Sequence, residues 1–138
     1  MRIDVVSAVP KILEGPLSES ILKRAQSKKL ARIVVHDLRD YAAGKYRHVD
    51  DKPFGGGAGM ILKPEPFFRC LSELLEARKY DEVICLTPQG STFNQKRANV
   101  LSLKENIILI CGHYKGIDQR VIEKFVTMEL SIGNYVIT

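Results

Sequence analysis

The chain alternates short, almost continuous apolar runs with stretches in which apolar residues recur every three or four positions. The apolar runs have the length of β-strands and lie at residues 3–9, 33–38, 83–86 and 107–111, and more weakly at 128–132 with 135–137. Helical spacing lies between them, at residues 18–30, 65–78, 94–103 and 118–125. Strands that are apolar on both faces and alternate with amphipathic helices predict an α/β fold with a mostly parallel sheet and helices on both faces.

Two segments refine this pattern. In the helix predicted at 65–78, the residues expected on one buried face are Phe67, Phe68, Leu71, Leu74 and Leu75. Residues 39–59 have only weak periodicity, and a loop of that length inside a compact domain is usually functional or disordered.

Composition favours one globular domain. The chain has 138 residues, of which 45% are hydrophobic and 27% charged. No apolar run approaches the roughly 20 residues of a membrane span, and the N-terminus makes a poor signal peptide, so we expect a cytoplasmic protein that does not contact membranes. The three cysteines, Cys70, Cys85 and Cys111, are odd in number and have apolar neighbours, which favours buried reduced thiols.

The net charge of +5 allows an anionic partner. Residues 20–32 carry five bases and no acid: Lys23, Arg24, Lys28, Lys29 and Arg32. A solvated helix face and a phosphate-contacting surface both explain this run, and both readings stay open.

Three strand ends carry turn-forming residues. In open α/β sheets, ligands bind beyond the carboxyl ends of the strands. The segments LTPQG at 86–90, CGHYKGID at 111–118 and SIGNYVIT at 131–138 each interrupt an apolar strand with glycine or proline. Together with a glycine-rich loop, they predict a small-molecule pocket.

That loop, VDDKPFGGGAGM at residues 49–60, contains Gly55, Gly56, Gly57 and Gly59. The two familiar phosphate-binding glycine templates both fail at Met60, which disfavours a nucleotide hydrolase. The adjacent Asp50 and Asp51 have basic neighbours. This cluster either serves solubility alone or places a carboxylate at a reacting base and cations on phosphates.

The remaining candidates carry weaker signals. Asp118 is suited to cap the following helix, and a purely capping role and a functional one are equally open. His113 lies just after a strand, where it serves either as a hydrogen-bonding loop residue or as a catalytic base. His36 and His48 lack partners at metal-ligand spacing, so we expect no metal site. Cys111 ends an apolar strand, which disfavours a nucleophilic role.

Four motifs occur along the chain in this order: VDDKPFGGGAGM, LTPQG, CGHYKGIDQRV at 111–121 and SIGNYVIT. Together they closely resemble the TrmD family of bacterial tRNA (guanine-N1)-methyltransferases, in the SPOUT superfamily. The resemblance extends over residues 1–138. It implies a knotted α/β domain, a homodimer with a shared site, and methyl transfer from S-adenosylmethionine to N1 of the guanosine 3′ of the anticodon in tRNA.

The resemblance also implies site residues. Those expected to line the cofactor pocket are Leu86, Thr87, Pro88, Gly112, Tyr114, Gly116, Ile132, Gly133, Tyr135 and Ile137. Asp50 and the four loop glycines are expected on the substrate side, with Asp50 the carboxylate that contacts the target base.

Two departures from the family pattern stand out. Lys115 occupies a position where the family usually has an acid, so a tRNA phosphate contact becomes an alternative to an acid/base role. The chain also ends at Thr138, before the family's knot-completing helix, general base, assisting arginine and C-terminal tRNA-binding domain. We therefore expect an N-terminal fragment with little activity by itself and an incomplete knot. The alternative is a non-catalytic RNA-binding α/β module that uses a basic helix at residues 23–32.

Overall fold

The structure is a computed structural model, and it describes residues 1–53, 55–133 and 135. The strands are β1 (Arg2–Ser7), β2 (Arg32–Asp37), β3 (Asp50–Asp51), β4 (Ile61–Leu62), β5 (Glu82–Thr92), β6 (Asn106–Cys111) and β7 (Met128–Ser131). The α-helices are α1 (Glu14–Leu17), α2 (Ser20–Ser27), α3 (Pro64–Ala77), α4 (Gln95–Ser102) and α5 (Gln119–Phe125), with 3-10 helices at Pro10–Leu13 and Leu38–Tyr41.

Five strands form one parallel sheet in the order β2-β1-β6-β5-β7, and β3 pairs with β4 in a separate antiparallel ribbon. The α/β prediction is confirmed. None of the helices in the described ranges is both long and apolar enough to cross a bilayer.

The core has two parts, one on each face of the sheet. Because successive side chains of a strand point to opposite faces, the neighbours Ile107 and Ile108 of β6 belong to different clusters. Ile108 packs in the larger cluster, to which α3 and α5 contribute, and Ile107 packs in the smaller one with Leu101 of α4. The continuous apolar strands noted in the sequence are therefore covered by helices on both sides.

Helix α3 shows how the apolar pattern is used. Phe67, Leu71 and Leu74 are buried as predicted, but Leu75 is 38% exposed, so its assignment to the buried face was wrong. The buried arc is centred on the side of Cys70 and Leu74, and Leu75 lies at its rim. Phe68, at the same rim, packs edge-on against Phe125 of α5 with ring centroids 4.9 Å apart.

The helix predicted at residues 18–30 is shorter than expected. It begins at Ser20 and ends at Ser27, and Lys29 has a left-handed backbone with φ of 57°. Lys28 and Lys29 therefore follow the helix and Arg32 opens β2, so the basic run does not form one helical face.

Strand β5 does not end at LTPQG, which corrects the prediction that this segment terminates a strand. Leu86 pairs with Leu130 of β7, and the pairing then resumes with Ser91 opposite the same residue. Residues 87–90 therefore protrude from the ladder as a bulge. Gly90 closes this bulge, because a Cβ atom there would lie only 2.5 Å from the backbone N of Leu130.

The weakly periodic segment 39–59 is more ordered than its sequence indicates. It overlaps the 3-10 helix at Leu38–Tyr41 and contains β3. Val49, just before β3, is fully buried, and its carbonyl accepts a 2.8 Å hydrogen bond from the amide of Lys63.

Candidate functional site

Strand register brings the three predicted ligand segments to one edge of the sheet. Cys111 of β6 pairs with Leu86 of β5, and Leu86 also pairs with Leu130 of β7. Beyond this level, residues 87–90 bulge from β5 and residues 112–118 follow β6, whereas β7 continues to Ser131, which pairs with Thr92. Residues 87–90 and 112–118 therefore start side by side, and the third segment leaves β7 after Ser131, close to them. The second and third segments follow strand ends at the carboxyl edge, as the sequence predicted, whereas the first is a bulge within β5.

The surface of this edge suits a flat, partly apolar ligand. Ile132 is 62% exposed and Tyr135 56% exposed, and Leu86 and Tyr114 are also open to solvent. A Cβ atom at Gly112 would lie 3.9 Å from the carbonyl oxygen of Leu86, so the second turn passes close to the first. Exposed apolar side chains and closely approaching backbone are suited to contact the faces of such a ligand.

The third turn is shaped by its own serine. The hydroxyl of Ser131 accepts a hydrogen bond from the amide of Gly133 at 3.2 Å and donates one to the carbonyl of the same residue at 2.7 Å. The ring of Tyr135 packs directly against Gly133. Ile137, the last residue expected in the pocket, lies outside the described residues.

The loop at residues 112–118 is fastened to the segment that follows the glycines. The amide of Lys115 donates to Met60 at 3.0 Å, that of Leu62 donates to Gly116 at 3.0 Å, and that of Asp118 donates to Leu62 at 3.2 Å. These three backbone hydrogen bonds join the carboxyl edge of the sheet to the glycine-rich loop. The sequence did not reveal this connection, because the partners are more than fifty residues apart.

The glycine-rich loop needs its glycines for conformation. Gly57 and Gly59 both have φ of +93° and Gly56 has +71°, in the left-handed region where a Cβ atom causes strain. Gly55 has no such φ and meets no atom within 4 Å of a Cβ position. The backbone shape of residues 56–59 therefore depends on glycine.

Asp50 lies in β3, opposite Leu62 of β4. Leu62 also forms a parallel bridge with Ile117, so Asp50 and the 112–118 loop flank β4 on its two sides. With the usual strand spacing, this separates the two backbones by roughly 10 Å. The Asp50 side chain is half-buried and forms no ion pair with any described residue, whereas Asp51 beside it is exposed and lies 3.8 Å from Lys63.

Asp118 caps α5, as the sequence predicted. Its carboxylate accepts a 3.0 Å hydrogen bond from the amide of Arg120 and pairs with the Arg120 guanidinium at 2.8 and 2.9 Å. The hydrogen bond from Arg120 lowers the pKa of Asp118. The carboxylate is therefore ionised and committed to the start of the helix.

A cavity of about 470 Å³ lies between the β3–β4 ribbon and the starts of α3 and α5. Its lining residues are Asp51, Lys52, Pro53, Ile61, Lys63, Pro64, Glu65, Asp118 and Arg120. None of the described residues expected to bind the cofactor lines it. The sequence did not indicate that Lys63 and Glu65 line a cavity. Their one local signal is Pro64 between them, which marks the start of α3.

The remaining candidates, two histidines and the three cysteines, lie among contacts that the structure describes. His36 bonds to the buried Asp4, and the His113 ring lies 4.5 Å from that of Tyr114. Burial raises the pKa of Cys70 to about 12 and that of Cys85 to about 11, and it raises the pKa of Cys111 as well. All three are free thiols, as predicted, and Cys70 and Cys85 are buried, whereas Cys111 is only half-buried, which corrects its predicted burial. No described group of histidine, cysteine and acidic residues is arranged to hold a metal ion.

The sequence matches the model of one protein family, tRNA (Guanine-1)-methyltransferase TrmD, over residues 1–138. The chain belongs to the TrmD family. It is 56% identical over 138 residues to a tRNA (guanine-N(1)-)-methyltransferase of Christiangramia forsetii and 54% identical to one of Chlorobaculum tepidum. The match covers the whole chain but 61% and 60% of those two relatives.

A solved TrmD structure is also similar. The crystal structure of tRNA (m1G37) methyltransferase from Aquifex aeolicus matches with a TM-score of 0.89 and 36% sequence identity. The match covers 99% of this chain and 62% of that one. The family resemblance stated from the motifs is confirmed, and the α/β fold is that of a TrmD methyltransferase. The chain spans about three fifths of the length of these relatives.

Proposed function

We propose that residues 1–138 form the N-terminal S-adenosylmethionine-binding domain of a tRNA methyltransferase. The reaction is transfer of a methyl group to N1 of the guanosine 3′ of the anticodon. The observation that carries this proposal is the convergence of three strand-edge turns, tied by backbone hydrogen bonds to a glycine-rich loop, in a TrmD-family chain. The protein works in the cytoplasm as a homodimer with a shared site.

The cofactor lies along the carboxyl edge of the sheet. Backbone groups of Leu86, Thr87 and Pro88, of Gly112 and of Gly116 would hold its adenine and ribose, while the exposed Tyr114, Ile132 and Tyr135 with Gly133 would form the remaining walls. Bound S-adenosylmethionine supplies a methyl group activated by a sulfonium. The task of these residues is to exclude water and to align the acceptor nitrogen with that carbon.

Asp50 contacts the target guanine in this proposal. Its side chain is half-buried and unpaired among the described residues, so it can accept a hydrogen bond from the base. Gly55, Gly56, Gly57 and Gly59 allow the nucleobase to approach the methyl donor closely. Asp51 points to solvent near Lys63 and has no role in transfer.

Two measurements test this function. Calorimetry with S-adenosylmethionine should show binding that strengthens when the chain is extended to the length of its relatives, whereas an RNA-binding module binds no cofactor at either length. In the extended protein, Asp50→Ala should lower methyl transfer to a tRNA transcript by about 100-fold and change cofactor affinity less than twofold.

Asp51→Ala is the matched control, since it removes the neighbouring carboxylate from an exposed position. It should leave both methyl transfer and the affinity for S-adenosylmethionine unchanged. If Asp50→Ala lowered transfer and cofactor affinity equally, Asp50 would only support the pocket. Absence of cofactor binding at both lengths would reject the proposed function.

A further inference from the structure

The side chain of Lys115 lies across the glycine-rich loop. A Cβ atom at Gly59 would come within 2.9 Å of Cε of Lys115 and 3.3 Å of its Cδ and Cγ atoms. A Cβ atom at Gly57 would lie 3.8 Å from Nζ of the same lysine. The alkyl stem thus crosses Gly59 and carries the ammonium group to Gly57.

The backbone around Lys115 is itself close to the loop. Tyr114 has a left-handed φ of 58° and Gly116 a φ of 123°, so Lys115 lies between two residues in an unusual conformation. Its amide donates to Met60, one residue beyond Gly59. The backbone of Lys115 is thus fastened beside the loop that its side chain crosses.

The charge of Lys115 is uncompensated in the described chain. The residue is exposed and forms no ion pair there, whereas Lys63 lies 3.8 Å from Asp51 and Arg120 pairs with Asp118 at 2.8 Å. These two cations of the adjacent cavity therefore have acids beside them. Lys115 instead presents its ammonium to solvent over a surface that consists of glycine backbone.

The orientation separates Lys115 from the cofactor edge. Gly112, at the start of the same loop, approaches Leu86, while Lys115 contacts Gly57 and Gly59 on the side assigned to the nucleic acid. A lysine ammonium is a compact point charge that suits a phosphate. We propose that Lys115 binds a backbone phosphate of the RNA substrate next to the target nucleotide, an inference that rests on the proposed function.

The test is the salt dependence of RNA binding, measured by fluorescence anisotropy with the 138-residue chain and a tRNA transcript. Lys115→Ala should weaken binding about 3- to 10-fold and reduce the slope of log K against log salt by about 0.7 to 0.9. Lys115→Arg should keep the slope. Lys124→Ala is the matched control, because Lys124 is also an exposed lysine, in the last turn of α5 at the far end of the helix that follows this loop.

A second arm uses a transcript with adenosine in place of the target guanosine. Phosphate contacts carry no sequence information, so Lys115→Ala should weaken binding to both transcripts by the same factor. An unchanged slope, a loss confined to the guanosine transcript, or no binding of either transcript by the unmodified chain would overturn the proposal.

Calorimetry separates this inference from the proposed function. Lys115→Ala should change S-adenosylmethionine affinity less than twofold, and an equal loss of cofactor and RNA affinity would assign Lys115 to the pocket and overturn the phosphate contact. A second outcome also separates them: the 138-residue chain and the extended protein, both without substitutions, could bind RNA with the expected salt dependence but bind no S-adenosylmethionine. Methyl transfer would then be rejected, and the phosphate contact would stand.

Discussion

The hydroxyl of Tyr80 donates a 2.8 Å hydrogen bond to the carboxylate of Asp4, a residue of β1 that is fully buried. The same carboxylate accepts two hydrogen bonds from Arg2, at 2.6 and 2.7 Å, and lies 2.7 Å from Nε2 of His36. This network joins β1, β2 and the turn before β5. Its contribution to stability depends on every partner being present, because an unpaired charge there has no access to water.

Asp4→Asn should lower the free energy of unfolding by about 3 kcal/mol, since it removes the charge that Arg2 and His36 face. Tyr80→Phe should lower it by about 1 kcal/mol through loss of one hydrogen bond. Urea denaturation measures both changes. Tyr46→Phe, at a residue that is 74% exposed, is the control and should change stability by less than 0.5 kcal/mol. A Tyr80→Phe effect no larger than that of the control would show that the hydrogen bond adds nothing.

Acid should weaken the same network. Burial alone raises the pKa of Asp4, but the hydrogen bonds from His36, Arg2 and Tyr80 outweigh it and hold the pKa well below the ordinary value of 3.8. A carboxylate with a lowered folded-state pKa stabilises the protein above its unfolded-state pKa, and this contribution is lost as the pH falls below that value. Between pH 6 and pH 3 the unmodified chain should therefore lose more stability than Asp4→Asn. Parallel pH profiles of the two proteins would assign the acid sensitivity to other groups.

Gly90→Ala should destabilise the β5–β7 edge by about 2 kcal/mol, because the new methyl group would press on the backbone of Leu130 rather than on a movable side chain. The same variant should weaken binding of S-adenosylmethionine, since the bulge at 87–90 carries part of the proposed pocket. Thermal unfolding and calorimetry measure the two effects. Gly15→Ala is the control: it meets no atom within 4 Å in α1 and should be neutral or stabilising. Equal stability of the two variants would mean that β7 yields to the methyl group.

Asp118→Ala should lower stability by about 1 kcal/mol through loss of the N-cap of α5. Asp118→Asn keeps an oxygen that accepts from the amide of Arg120 and loses only a partly exposed ion pair, so it should retain most of the stability. Urea titrations of both variants give the comparison. If Asn were as damaging as Ala, the ion pair with Arg120 would be the dominant interaction of Asp118.

The thiols should be inert in the folded protein. Burial raises the pKa of Cys70 to about 12 and that of Cys85 to about 11, so almost no thiolate exists at pH 8. Iodoacetamide at pH 8 should modify Cys70 and Cys85 at least tenfold more slowly in the native chain than in urea. Mass spectrometry of the modified peptides provides the rates. Fast labelling of Cys70 in native buffer would mean that α3 opens readily from the sheet.

Local sequence patterns determined most of the architecture. The apolar run at residues 107–111 became β6 and residue 118 became the cap of α5, because strand burial and helix capping depend on side chains within a few positions of each other. The ordered motifs determined the family as well. Two predictions were wrong because the deciding contact is distant in sequence. Leu75 was expected on the buried face of α3, but it lies at the rim of the arc that packs on the sheet. LTPQG was expected to end a strand, but β5 continues past it because β7 offers a second set of backbone hydrogen bonds.

Part of the candidate site could be predicted from the sequence, and part depended on the tertiary structure. The sequence alone identified the three edge segments, the glycine-rich loop and the unusual cation at position 115. Only the tertiary structure decided that Lys115 lies over Gly59 and that Asp50 and Ile117 flank the same residue of β4. The physical reason is that such contacts depend on strand register and loop docking, which are fixed by hydrogen bonds between backbone groups that any sequence possesses.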